Sequence, residues 1–79
     1  MSRMSARFIG LKIGLSTSSV YELWEAMGLV VKDLFGYWDL IEYGKSIGGR
    51  LSSGRVPVPT FNFEDIVEVM DEFQEKRNK

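Results

Sequence analysis

Cysteine and histidine are both missing from this chain, and proline occurs only twice. Without Cys there are no disulfides, which agrees with a reducing compartment. Without either residue, zinc sites of the usual kind and His- or Cys-based catalysis are excluded. The acids, lysines, serines and tyrosines that remain fall in no spacing that marks a catalytic pair. The expectation is a protein that is not an enzyme and carries no cofactor or metal. No apolar run reaches the length of a signal peptide or a membrane span, so a cytoplasmic protein with no membrane contact is expected. What the chain does have is large apolar side chains. Two Trp, five Phe and three Tyr among 79 residues supply enough buried area for one core without covalent staples. One domain, 1–79, is expected.

The net charge of −1 conceals an uneven distribution. Residues 1–60 hold seven Lys/Arg against five Asp/Glu, whereas residues 61–79 hold three against six. The first 21 residues contain Arg3, Arg7 and Lys12 and no acid. A mildly basic body with an acidic end permits a nucleic-acid face.

Residues 6–13 predict a short helix with Phe8, Ile9 and Ile13 on its apolar side, stopped at Gly14 in the left-handed region. Ser16 is a natural N-cap for a second helix, 17–27, with Leu15 and Val20 as a hydrophobic staple. Val20, Leu23, Trp24 and Met27 recur at i, i+3, i+4 and i+7, one apolar stripe, and Gly28 ends the helix. Val30, Val31, Tyr37 and Trp38 point to a β-hairpin over 29–41, with Tyr37 and Trp38 expected in the core. Tyr43 to Ile47 suggests a helical turn. The stretch Gly48 to Pro59 is predicted to be a loop with an extended end, since each proline disfavours the α region in its predecessor. The last helix, 62–76, has Asn62 as N-cap and a Phe61/Ile66 staple. Its apolar face carries Phe63, Ile66, Val67, Met70 and Phe73, and its outer face Glu64, Glu68, Asp71, Glu72 and Glu75. Only the final few residues are expected to be disordered.

Two short helices joined by a glycine turn become informative through their register. Counting from Ala6, Ile9 is fourth, Gly10 fifth, Ile13 eighth, Gly14 ninth, Leu15 tenth, Val20 fifteenth and Leu23 eighteenth. A second helix crossing the first needs a small residue at the crossing and a left-handed turn residue. In this register, residues 6–25 resemble the helix-turn-helix superfamily. The hairpin that follows, and the stretch Trp38 to Lys45, are similar to the wing region of prokaryotic and phage regulators. The resemblance implies a mainly α domain with a small β-hairpin (α+β) of winged helix-turn-helix type. The usual preceding helix is missing, so either the last helix takes its place or the domain is of the minimal MerR-like or excisionase-like kind.

By that resemblance, Ser16, Thr17, Ser18 and Tyr21 face DNA, together with Glu22 and Glu25. Hydroxyls and a helix N-terminus suit phosphate oxygens, although the face lacks the Arg, Lys, Asn or Gln that make bidentate base contacts. Arg7 and Lys12 in the first helix, and Arg50 and Arg55 in the glycine-serine stretch, are the candidate phosphate contacts. The expected partner is double-stranded DNA, and the expected role transcription regulation of phage or bacterial type. A homodimer through the C-terminal helix, with Met70 and Phe73 as its contacts, is a further expectation. The alternative is a protein-protein interaction module on the same scaffold with no DNA binding. A pI near 5.3 and the acids on the second helix speak for it.

Overall fold

A computed structural model describes residues 3–77; the end of the chain expected to be disordered falls partly outside that range. The order of elements is β1 (Arg3–Ser5), α1 (Ala6–Ile13), α2 (Thr17–Ala26), β2 (Val30–Lys32), β3 (Trp38–Leu40), α3 (Glu42–Ser46), β4 (Arg50–Leu51), β5 (Pro59–Asn62) and α4 (Phe63–Arg77). This is a small α+β fold of four helices and two antiparallel sheets. β2 pairs with β3, and a separate sheet has the order β1-β5-β4.

The angle between α1 and α2 follows from two glycines. Gly14 has φ 79° and ends α1, a conformation that a Cβ penalises and glycine adopts freely. Gly10 serves a different need. A Cβ there would collide with the backbone carbonyl of Leu15 and lie 3.3 Å from Val20 Cγ2, so α2 approaches α1 over a residue without a side chain. The Leu15 N–H donates to the Gly10 carbonyl at 2.9 Å and fixes the turn. α2 then begins at the expected cap, with Ser16 Oγ accepting the Ser19 N–H at 3.1 Å. At the other end of the chain, Asn62 Oδ1 accepts the Asp65 N–H at 3.2 Å and starts α4.

The core gathers around Trp24. Its ring meets Phe61 edge-on at 4.9 Å and Tyr21 edge-on at 5.8 Å, and its indole N–H donates to Met70 Sδ at 3.4 Å. Val20, Leu23 and Ile9 are buried with it, as are Leu29, Leu40 and Ile66. One side chain thus joins α2, β5 and α4, which is why α4 lies where it does.

Several expectations are corrected. The stretch Gly48 to Pro59 is not all loop, because Arg50–Leu51 forms β4 and pairs with β5, which begins at Pro59. Pro59 opens its strand, where a missing N–H is tolerated. β1, at three residues, is too short to show a period, and its pairing with β5 (Arg3 opposite Asn62) was invisible to pattern reading. Phe8 and Ile13 lie outside the core, since α1 packs inward through Ala6, Ile9 and Gly10. Tyr37 is exposed rather than core. Met70 is buried beneath Trp24 and has no surface to offer a dimer contact; Phe73 is half-buried. Among the described residues, no helix is long and apolar enough to cross a membrane.

Candidate nucleic-acid interface

The outward side of α2 and the β2–β3 hairpin form the two walls of one groove. Thr17, Ser18, Tyr21, Glu22 and Glu25 line it from the helix, and Lys32 and Trp38 from the hairpin. The sequence pattern brings the helix residues together because 17, 18, 21, 22 and 25 follow the i, i+1, i+4 rhythm of one helix face. The opposite face, through Val20, Leu23 and Trp24, is buried in the core.

The groove's shape depends on a stack that joins its walls. Tyr21 and Trp38 lie parallel, with centroids 4.7 Å apart and planes 6° from coplanar. Lys32 is opposite Trp38 in the β2–β3 register and holds its ammonium 5.2 Å from the indole centroid. Packing of this kind fixes the hairpin against α2 and keeps the Lys32 charge beside the helix face. Burial raises the Tyr21 phenol above its ordinary pKa, so its hydroxyl remains a neutral donor and acceptor at physiological pH.

The start of α2 sits at one end of this groove. Ser16 caps the Ser19 N–H and also donates to Ser19 Oγ at 2.9 Å. The Thr17 and Ser18 N–H groups occupy the first turn, where helix geometry provides no intrahelical acceptor. Both residues are exposed, so hydroxyls, backbone donors and the positive helix end point to the same place.

The basic residues expected to join them are dispersed. Arg7 and Lys12 are on the outward side of α1. The Arg7 guanidinium carbon is 5.8 Å from the Phe8 ring and the Lys12 ammonium 5.0 Å from the Phe63 ring; neither residue lines the α2 groove. Arg50 is in β4, where its carbonyl accepts the Thr60 hydroxyl at 2.8 Å. Arg55 lines a second groove with Asp33, Tyr37, Trp38, Asp39, Leu51, Val56 and Pro57, on the hairpin's other flank. Arg3 is engaged in the fold. Its guanidinium donates to the carbonyls of Thr60 and Gly48 at 3.0 and 2.8 Å. Among the described residues the single ion pair joins Lys45 to Glu42; Lys32 shares its groove with Glu22 and Glu25, and Arg55 shares its own with Asp33 and Asp39, without a direct ion pair.

Lys32 and Trp38 are the site residues that sequence reasoning missed. Their common signal is the hairpin register, which depends on the length of the turn, and a run such as Lys32 to Tyr37 does not reveal that length. Among the described residues no cluster of acidic groups is arranged to hold a metal. The chain matches no protein-family model, no curated protein and no solved structure.

Proposed function

We propose that the chain is a small double-stranded-DNA-binding regulator of prokaryotic or phage type, acting in the cytoplasm, with α1–α2 as a helix-turn-helix unit and the β2–β3 hairpin as its wing. The observation that supports this most is the α2 groove, where a helix N-terminus with two exposed hydroxyls shares its walls with Lys32 on the hairpin. In this reading α2 enters the major groove by its N-terminal end. Thr17, Ser18 and their backbone donors meet phosphate, and Tyr21 lies near base edges. Glu22 and Glu25 face away from phosphate or accept from a cytosine amino group.

Fluorescence anisotropy on random-sequence duplex, at low and moderate salt, tests the reading. The wild-type chain is expected to bind, with log K falling as log salt rises. Lys32→Ala is expected to flatten that slope by about 0.9, one released counterion. Replacing Glu22 and Glu25 together by Gln is expected to tighten non-specific binding. No binding at tens of micromolar (an order-of-magnitude ceiling for non-specific association at low salt) would remove the DNA reading.

One observation favours a second reading, a protein-docking module without DNA binding. α1 exposes Phe8 (56%) and Leu11 (71%) directly opposite its buried side, with Arg7 and Lys12 on either flank by the 100° helical step. A partner helix with apolar and acidic residues would complement that face. Phe8→Ser with Leu11→Ser separates the two readings, because it would abolish such docking and leave the DNA salt slope unchanged.

A further inference from the structure

The hairpin ends in two apolar side chains that the fold does not use. Leu34 is fully exposed and Phe35 is 84% exposed, at the centre of a turn whose chemistry ordinarily favours Gly, Pro, Asn, Asp or Ser. The turn itself is firmly held. Asp33 accepts the N–H groups of Phe35 and Tyr37 on one carboxylate oxygen, at 2.8 and 3.0 Å, and its carbonyl accepts the Gly36 N–H at 3.1 Å. A pair presented on a preorganised tip loses less entropy when it binds. Charge does not select what the tip meets, because Lys32 shares its groove with Glu22 and Glu25, and Arg55 shares its own with Asp33 and Asp39. The tip requires an apolar receptor.

Such a receptor is present on another face of the same chain. Where the end of α1 meets α4, Ile13, Leu15 and Val67 wall a groove of about 210 Å³ over the buried Met70. Asp71 and Gln74, both exposed, complete its lining. An apolar cavity of roughly 150 Å³ is enough to hold a benzene ring, so the Phe35 ring has room there. Ile13 and Leu15 keep more than a third of their surface in solvent, which burial against a second apolar group would remove. None of the groove's residues belongs to the hairpin, and the Tyr21–Trp38 stack pins the hairpin to the outward side of α2. The tip of one molecule can therefore fill only the groove of another.

We propose that the chain associates head to tail, with Leu34 and Phe35 of one copy seated between α1 and α4 of the next. Tip and groove are different surfaces, so the contact is heterologous. A dimer still has one tip and one groove unfilled, and growth continues unless the rotation between copies closes a ring. This differs from a two-fold pairing of the last helices. Two side chains and a turn bury less than the roughly 1,200 Å² of a stable interface, so the association is weak and depends on concentration. Neither Leu34 nor Phe35 lines the α2 groove, and the inference stands apart from the DNA reading.

Sedimentation velocity on the full chain, from about 10 μM to about 1 mM to cover weak dissociation constants, tests the proposal without nucleic acid. The wild-type sedimentation coefficient is expected to rise with concentration beyond the value of a dimer. That rise should persist at high salt, because screening weakens charged contacts and not apolar ones. Leu34→Ser with Phe35→Ser disables the tip, and a circular-dichroism melt of this variant should match wild type, since neither side chain packs in the core. Ile13→Asp disables the groove, and Gln74→Trp obstructs it from an exposed position that folding does not depend on. Each variant alone is expected to remain monomeric. A mixture of the tip variant with either groove variant is expected to form a heterodimer that grows no further, since one working groove and one working tip remain between them. A wild-type chain that stays monomeric at every concentration would overturn the proposal. So would a mixture that forms no heterodimer, or groove variants that still associate, which would assign the tip to a second tip. Association lost at high salt would overturn it as well, by showing that charge and not the apolar pair holds the copies together.

Discussion

A methyl group added at Gly10 and one added at Gly14 meet different obstacles, and the difference measures what the α1–α2 turn requires. At Gly14 there is open space around the added methyl, and the only penalty is a left-handed backbone; Gly14→Ala is expected to cost about 1–2 kcal/mol. At Gly10 the backbone is ordinary but the Leu15 carbonyl occupies the place of the methyl. Gly10→Ala must push the two helices apart, which overpacking data put at about 1–3 kcal/mol, occasionally more. Chemical denaturation of the two variants checks both numbers, and a silent Gly10→Ala would mean that α2 does not cross there. Trp24 is the residue on which the most depends. It is fully buried among Tyr21, Phe61 and Met70, and Trp24→Ala is expected to cost about 3–5 kcal/mol. For a domain whose total stability is on the order of 5 kcal/mol, that leaves little. A urea melt within about 1 kcal/mol of wild type would contradict the packing.

Among the elements, the helices were the most legible and the sheet the least, for a physical reason. A helix announces itself through a local period, a cap and a stop, and all three are present for α2. Ser16→Ala is accordingly expected to cost about 1 kcal/mol, and Ser18→Ala, exposed in the first turn, less than about 0.5 kcal/mol, in the same thermal melts. The β1–β5 pairing offers no such local sign, since its partners Arg3 and Asn62 are far apart in sequence and each strand has only three or four residues. The site divides in the same way. Thr17, Ser18 and Tyr21 could be assigned to one face from the helical period alone. Their neighbours Lys32 and Trp38 enter the groove through a cross-strand register, and the stack on Tyr21 follows from tertiary packing. The exposed Phe8 and Ile13 teach a similar lesson. An eight-residue helix with a glycine crossing buries a narrow strip, so an apolar residue on it is not thereby a core residue.

Over the whole molecule, the chain has few cations to give to a nucleic acid, and the fold determines which of them are free. α4 presents Glu64, Glu68, Asp71, Glu72 and Glu75 to solvent, which repels phosphate and leaves the α2 and hairpin side as the docking side in the DNA reading. Arg3 counts toward the basic excess of the first 21 residues, yet its guanidinium ties the start of the chain to Thr60 and Gly48, with Thr60 itself bonded to the Arg50 carbonyl. The contacts hold β1, β5 and the turn before β4 together although these segments are far apart in sequence. Arg3→Ala should therefore act on folding and not on phosphate binding. Loss of about 1 kcal/mol from these partly exposed bonds would lower the melting temperature by about 4–8 °C in a domain of this size, with the salt slope of DNA binding unchanged. Lys32→Ala should flatten the slope and, by removing only an exposed cation–π contact of about 0.5–1 kcal/mol, lower the melt by no more than Arg3→Ala does. Differential scanning calorimetry and salt-dependent anisotropy on the same two variants measure both quantities. A salt slope that falls with Arg3→Ala would show that its guanidinium leaves the Thr60 and Gly48 carbonyls for phosphate when DNA binds, and would move the docking side toward the β1–β5 sheet.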